Sequence, residues 1–182
     1  STVVFMGVGE RLANDGAGRP AIRILLDDFG FGLSKRRVTV STSGMVPFID
    51  RLREDVDTAL AVSLHAPVDA LRDELVPINR KYPIRELMEA CCRYTAGKDR
   101  TSHIDYEYVM IEGVNDHPAL ARDLANLLGN LPAKVNLLPR NPSPGAPYLT
   151  SPPATVHASP HTLPQTVIRP PPRQTRGDDP RS

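Results

Sequence analysis

Five short apolar runs, rich in β-branched residues, alternate with helical stripes along most of the chain. The runs are Val3-Val4-Phe5-Met6, Val38-Thr39-Val40, Thr58 to Val62, Ile104 to Met110 and Lys134 to Leu138. Between them, apolar residues recur at helical spacing over Arg19–Phe29, from Pro47 through Leu52, over Asp69–Leu75 and Ile84–Tyr94, and over Ala119–Leu128. Strand and helix alternating in this way predict an α/β fold, with parallel strands joined by crossover helices. Right-handed crossovers would wind such strands into a barrel or into an open doubly wound sheet.

Polar residues recur just past the predicted strands: Glu10, Ser41, Ser63 with His65, Asn115 and Asn141. Folds of this class place ligand chemistry at the carboxyl ends of their strands. Gly7 and Gly9 precede Glu10, and glycine lets a backbone turn sharply and approach a ligand closely. A dinucleotide fingerprint fails, because Leu12 stands at its third glycine position. Each residue alone has an ordinary alternative: Ser63 and His65 could cap the next helix, and Asn141 could hold a turn. The recurrence at successive strand ends favours one ligand site. Ser63 and His65 do not make a catalytic triad, since they are two residues apart with no identifiable orienting acid.

The chain of 182 residues is long enough to bury a core, and its net charge of +1 does not by itself mark it for nucleic acid. No stretch approaches the roughly 20 apolar residues of a membrane span, and no signal-peptide pattern opens the sequence. Cys91 and Cys92, the two cysteines, are vicinal and fall in a helical pattern, which predicts packing. Twelve of the 19 prolines lie from Pro139 onward, where large apolar residues are scarce. The expected organisation is a partial barrel core over residues 1–148 and an irregular, disordered Pro-rich tail over 149–182.

Several longer runs carry a resemblance. They are Val4-Phe5-Met6-Gly7-Val8-Gly9-Glu10, the stretch from Leu26 to Gly44, and Ser63-Leu64-His65-Ala66-Pro67. Val76-Pro77-Ile78-Asn79, Glu107-Tyr108-Val109-Met110, Asn141-Pro142 and Arg176-Gly177-Asp178-Asp179 add to them. With these the chain closely resembles the radical S-adenosylmethionine (SAM) RNA methyltransferases of the RlmN family. The resemblance implies an incomplete (β/α)6 barrel that binds SAM and a [4Fe–4S] cluster. It implies methylation of adenine C2 in 23S rRNA and tRNA through a methylated cysteine, in the cytoplasm, with no membrane or protein partner. Gly9 and Glu10 match the motif that holds the amino acid end of SAM. Ser41, Ser63, Leu64, His65 and Asn141 match other SAM-contacting positions.

The departures from the family carry equal weight. The family's cluster loop and catalytic glutamate precede the opening strand, so the resemblance implies no catalytic or metal-ligating residue in this chain. The methyl-carrying cysteine would follow Asp179, where Pro180 stands. Arg11 replaces a usual proline, and residues 158–175 are Pro-rich where a helix and strand are expected, as a frameshift would produce. The expectation is therefore an incomplete C-terminal part of the enzyme. The alternatives are a relative that methylates adenine C8 and confers antibiotic resistance, or a truncated, non-catalytic product.

Overall fold

A computed structural model describes residues 3–5, 38–55, 58–98, 102–129 and 131–139. The predicted helix over 19–29, the glycine-glutamate turn, Asn141 and the tail lie outside the described residues.

Five strands form one parallel sheet: β1 (Val3–Phe5), β2 (Val38–Thr42), β3 (Ala59–Ser63), β4 (Ile104–Met110) and β5 (Ala133–Pro139). All five fall where the apolar runs predict them. Their order in the sheet is their order in the chain. The order therefore steps one strand further each time in the same direction, and right-handed crossovers put the described helices on one face. A doubly wound sheet would reverse direction at a switch point. That alternative is excluded, and the winding is that of a barrel wall.

The helices follow their apolar stripes. They are α1 (Val46–Asp55), α2 (Asp69–Leu75), a 3-10 turn (Pro77–Arg80), α3 (Ile84–Thr95) and α4 (Pro118–Leu128). In α3 the residues Ile84, Leu87, Met88, Cys91 and Tyr94 are buried, the i, i+3, i+4, i+7 stripe of a helix packed on one side. They join Phe48, Ile49 and Leu52 of α1 and Leu124 and Leu128 of α4 in a single core. The sheet contributes Val38, Val40, Leu60, Val62, Ile104, Tyr106, Tyr108, Met110, Val135 and Leu137 to that core.

Those residues alternate within each strand and stand in register across the sheet, so the intervening ones face the other side. There the pattern changes. Registered rows run Ser41–Ala61–Asp105–Lys134 and Ser63–Glu107–Asn136 across adjacent strands. Parallel strands covered on both faces read as continuous apolar runs. Here β4 alternates, with Asp105 and Glu107 half-buried between buried Ile104, Tyr106 and Tyr108. The face turned away from the helices is polar, and the strands deliver their carboxyl ends to its rim.

Candidate functional site at the strand ends

The rim is built by the turns that follow β2, β3 and β4. After β2, Thr42 Oγ1 accepts hydrogen bonds from the N–H groups of Gly44 and Met45, at 3.1 and 3.3 Å, and leads the chain into α1. This local bond fixes the direction in which the preceding Ser41 is held. Ser41 is 8% exposed, and its hydroxyl has no partner among the described residues.

The Ser63-Leu64-His65 segment is held much more tightly. Leu64 lies in the core, and its N–H donates to Glu107 O of β4 at 2.9 Å. All three of its carbonyls are occupied from within the fold. Ser63 O accepts from Arg72 Nη2 at 3.1 Å, Leu64 O from Arg72 Nε at 3.1 Å, and His65 O from Asn115 Nδ2 at 2.9 Å. Ala66 N–H adds a second bond to Leu64 O, closing a tight turn. His65 has a φ of 59°, the left-handed region that a non-glycine residue enters uncommonly. Backbone strain of this kind persists only where surrounding bonds over-determine it, and here the bonds on both sides do so.

The same network sets the His65 ring. Val109 N–H donates to Nδ1 at 3.1 Å, so Nδ1 carries no proton. Burial, with the Arg72 cation adding to it, pushes the imidazole pKa down to about 4. The ring is therefore neutral near pH 7, with its proton on Nε2. Nε2–H has no partner among the described residues. What the segment offers a ligand is a hydroxyl at Ser63 and an N–H donor at His65. The capping alternative is not taken, because the N-cap of α2 is Val68 and no side chain caps the helix. Nor does an acid orient His65, so no triad forms among the described residues.

Asn115, placed among the site candidates by its position past β4, has a different job. It is buried, and its side chain is fully engaged. Oδ1 accepts from Ile111 N–H at 2.7 Å, while Nδ2 donates to Val109 O at 2.8 Å and to His65 O at 2.9 Å. Tyr108 OH donates to Asn115 O at 2.8 Å from the core side. Asn115 supports His65 and does not face a ligand itself.

Sequence reasoning missed Asp105, Glu107, Lys134 and Asn136 on the polar face, although the alternation within β4 signals them. Lys134 Nζ and His103 Nε2 lie 3.5 and 3.6 Å from Asp105 Oδ1. Gly9, Glu10 and Asn141, the other predicted contacts, lie outside the described residues.

The polar face and its donor-bearing rim fit a polar organic ligand such as SAM. The described residues do not fit a [4Fe–4S] cluster, which is held by several cysteine thiolates. Cys91 is buried among core side chains on the helix side of the sheet, where burial pushes its thiol up to about 11. Cys92 is exposed on the outside of α3, not packed as the sequence predicts. No group of three or more metal-ligating side chains occurs among the described residues. No helix among them is long and apolar enough to cross a membrane.

Comparison with known proteins supplies a context for this geometry. No protein-family model matches the chain. It is 52% identical over 179 residues to the dual-specificity RNA methyltransferase RlmN of Alkalilimnicola ehrlichii, covering 98% of this chain and 49% of that protein. The crystal structure of a radical SAM methyltransferase from Sphaerobacter thermophilus matches with a TM-score of 0.84 and 44% identity. That match covers 94% of this chain and 51% of the other. A domain of pyruvate-formate lyase-activating enzyme from Bacteroides vulgatus shares the fold, with a TM-score of 0.64 at 17% identity over 93% of this chain and 99% of that one. The chain thus spans about half the length of each of these two methyltransferases.

Proposed function

We propose that this chain is the SAM-binding half of an RNA methyltransferase of the RlmN family, acting on adenine C2 of 23S rRNA and tRNA in the cytoplasm. The observation that carries the reading is the Ser63-Leu64-His65 turn. It is a strand-end segment with every carbonyl occupied and its two side-chain donors left for a ligand, in a chain 52% identical to an RNA methyltransferase. SAM, when bound, supplies the methyl group. The chain's own residues bind and orient it: the Ser63 hydroxyl and His65 Nε2–H donate to its oxygen or nitrogen acceptors. Ser41 adds a hydroxyl from the neighbouring strand, and Asn141 adds an amide past β5. Gly9 lets the backbone approach the amino acid end, and the Glu10 carboxylate accepts from its ammonium group. The thiolates of a [4Fe–4S] cluster and the methyl-carrying cysteine come from outside the described residues.

Calorimetric titration with SAM tests the reading. Glu10→Ala should weaken binding roughly tenfold to a hundredfold, the weight of a charge-assisted hydrogen bond of about 1.5–3 kcal/mol. Its melting temperature should stay close to the parent's. Equal SAM affinity in the two proteins would refute the assignment. For the whole enzyme, mass spectrometry of RNA nucleosides should find the added methyl group at adenine C2. A methyl at C8 would move the chain to the resistance relatives.

A further inference from the structure

Arg72 looks unremarkable in sequence, one of several charges in the helical run Asp69-Ala70-Leu71-Arg72-Asp73-Glu74-Leu75. In the structure it is completely buried, which arginine almost never is without full pairing. Its guanidinium meets no carboxylate directly among the described residues. Nη1 donates to Asn79 Oδ1 at 2.8 Å, Nη2 to Ser43 O at 2.7 Å and to Ser63 O at 3.1 Å, and Nε to Leu64 O at 3.1 Å. Three of these four acceptors are backbone carbonyls at the ends of β2 and β3. One planar group thus joins the turn after Ser41 to the turn that carries Ser63 and His65.

The balancing charge arrives through an amide. Asn79 Nδ2 donates to Asp69 Oδ1 at 2.9 Å and to Asp73 Oδ1 at 2.7 Å, while its Oδ1 faces Arg72. Asp69 Oδ1 also accepts from Ile84 N–H at 2.9 Å, at the start of α3. The asparagine of Val76-Pro77-Ile78-Asn79 is therefore a spacer between one buried cation and two carboxylates. Burial pulls the Arg72 pKa down to about 10, and Asp69 is the leading influence against that fall. The group stays charged near pH 7. Gly44 completes the arrangement. Its φ of 114° suits glycine alone, and a Cβ there would stand 3.0 Å from Arg72 Nη2.

We infer that Arg72 is a positioning residue for SAM, holding the β2 and β3 strand ends in the register that aligns Ser41, Ser63 and His65 on one ligand. The inference rests on the proposed SAM site. A purely structural arginine would equally well bond carbonyls far from the rim. This one spends three of its bonds on the two turns that carry the site, and none on the surface. Lysine cannot replace it, because one ammonium cannot span four acceptors in a planar fork.

The test compares Arg72→Lys and the milder Asn79→Ala with Leu124→Ala, a core truncation in α4 outside the Arg72 hydrogen-bond network. SAM affinity is measured by calorimetry at a temperature where all are folded, and amide exchange is followed at residues 43–45 and 64–66. Arg72→Lys should lose roughly tenfold in SAM affinity, the scale of one charge-assisted hydrogen bond. Asn79→Ala should lose less, and Leu124→Ala should stay within about twofold of the parent. Exchange at both turns should rise at least about tenfold in the Arg72 and Asn79 variants, on the same scale. It should not rise in Leu124→Ala. A Leu124→Ala loss equal to that of Arg72→Lys would make the arginine merely structural and overturn the inference. So would unchanged exchange at the two turns. If Arg72→Lys fails to fold, Asn79→Ala decides alone, by the same two readings. A parent that binds no SAM overturns the functional reading instead, and the exchange measurement still reports whether Arg72 holds the turns.

Discussion

Gly44→Ala should be among the costliest single-methyl additions the chain can suffer. Two terms contribute. A φ of 114° lies where side chains are strained, costing about 1–3 kcal/mol. The new Cβ would also sit 3.0 Å from Arg72 Nη2 and 3.3 Å from Leu87 Cδ2. An arginine tip normally swings aside at little cost, but this one is held by four hydrogen bonds. Moving it forfeits at least one charge-assisted bond, about 1.5–3 kcal/mol. The sum is about 2.5–6 kcal/mol, or a fall in melting temperature of roughly 5–25 °C. A double-mutant cycle with Arg72→Met separates the terms. Without the guanidinium, Gly44→Ala should cost only the backbone part, leaving a coupling of at least about 1.5 kcal/mol. Urea unfolding of the four proteins gives that number. Equal costs with and without Arg72 would refute the clash, and a cost below about 1 kcal/mol would refute the strain as well.

Other expected outcomes follow from the same network. Asn115→Ala removes three side-chain hydrogen bonds and should lower stability by about 2–4 kcal/mol in urea unfolding. The His65 pKa falls from 6.5 to about 4 on folding, so between those values the unfolded chain binds the extra proton. Stability from this group is complete above about pH 6.5 and lost toward pH 4, by about 2–3 kcal/mol at pH 4.5. His65→Gln, which keeps an acceptor without titrating in that range, should lack this part of the pH dependence. A thiol reagent at pH 8 should label Cys92 in the native protein and reach Cys91 only on unfolding, as mass spectrometry of the peptides would show.

The strands were legible because burial on the helix side demands apolar, β-branched runs, and such runs survive in the sequence as they stand. Ser63 and His65 were legible because strand carboxyl ends are where this fold class exposes polar groups. Asn115 has the same address, yet its side chain is spent on bonds within the fold. Whether an amide past a strand end faces a ligand or turns back onto Val109 and His65 depends on the turn at Gly113, which composition does not fix. Arg72 was hidden more deeply. A charge in a helical segment reads as solvated, and only tertiary placement shows that Gly44, Asn79 and three carbonyls surround this one. The polar face was visible in principle. A parallel strand reading Ile-Asp-Tyr-Glu-Tyr-Val-Met cannot be packed by helices on both sides without burying unpaired carboxylates.

Ser63→Ala separates a ligand-facing group from a scaffold group on adjacent atoms of one residue. The Ser63 carbonyl belongs to the scaffold, since it accepts from Arg72 Nη2. Its hydroxyl has no partner among the described residues, and the side chain shares a face with Glu107 and Asn136, opposite the core. Removing that oxygen leaves every bond of the Arg72 and Asn115 networks in place. Stability should therefore change by no more than about 0.5 kcal/mol. If the hydroxyl contacts SAM, its loss removes a hydrogen bond of about 0.5–1.5 kcal/mol, which weakens binding roughly twofold to tenfold. Asn115→Ala should show the reverse balance, a large stability loss with an affinity change that follows from the loosened His65. The pair is measured by urea unfolding and calorimetric titration in the same buffer. If Ser63→Ala loses more than about 1.5 kcal/mol of stability while its SAM affinity equals the parent's, the hydroxyl is a structural group. The polar face would then not be where the ligand lies.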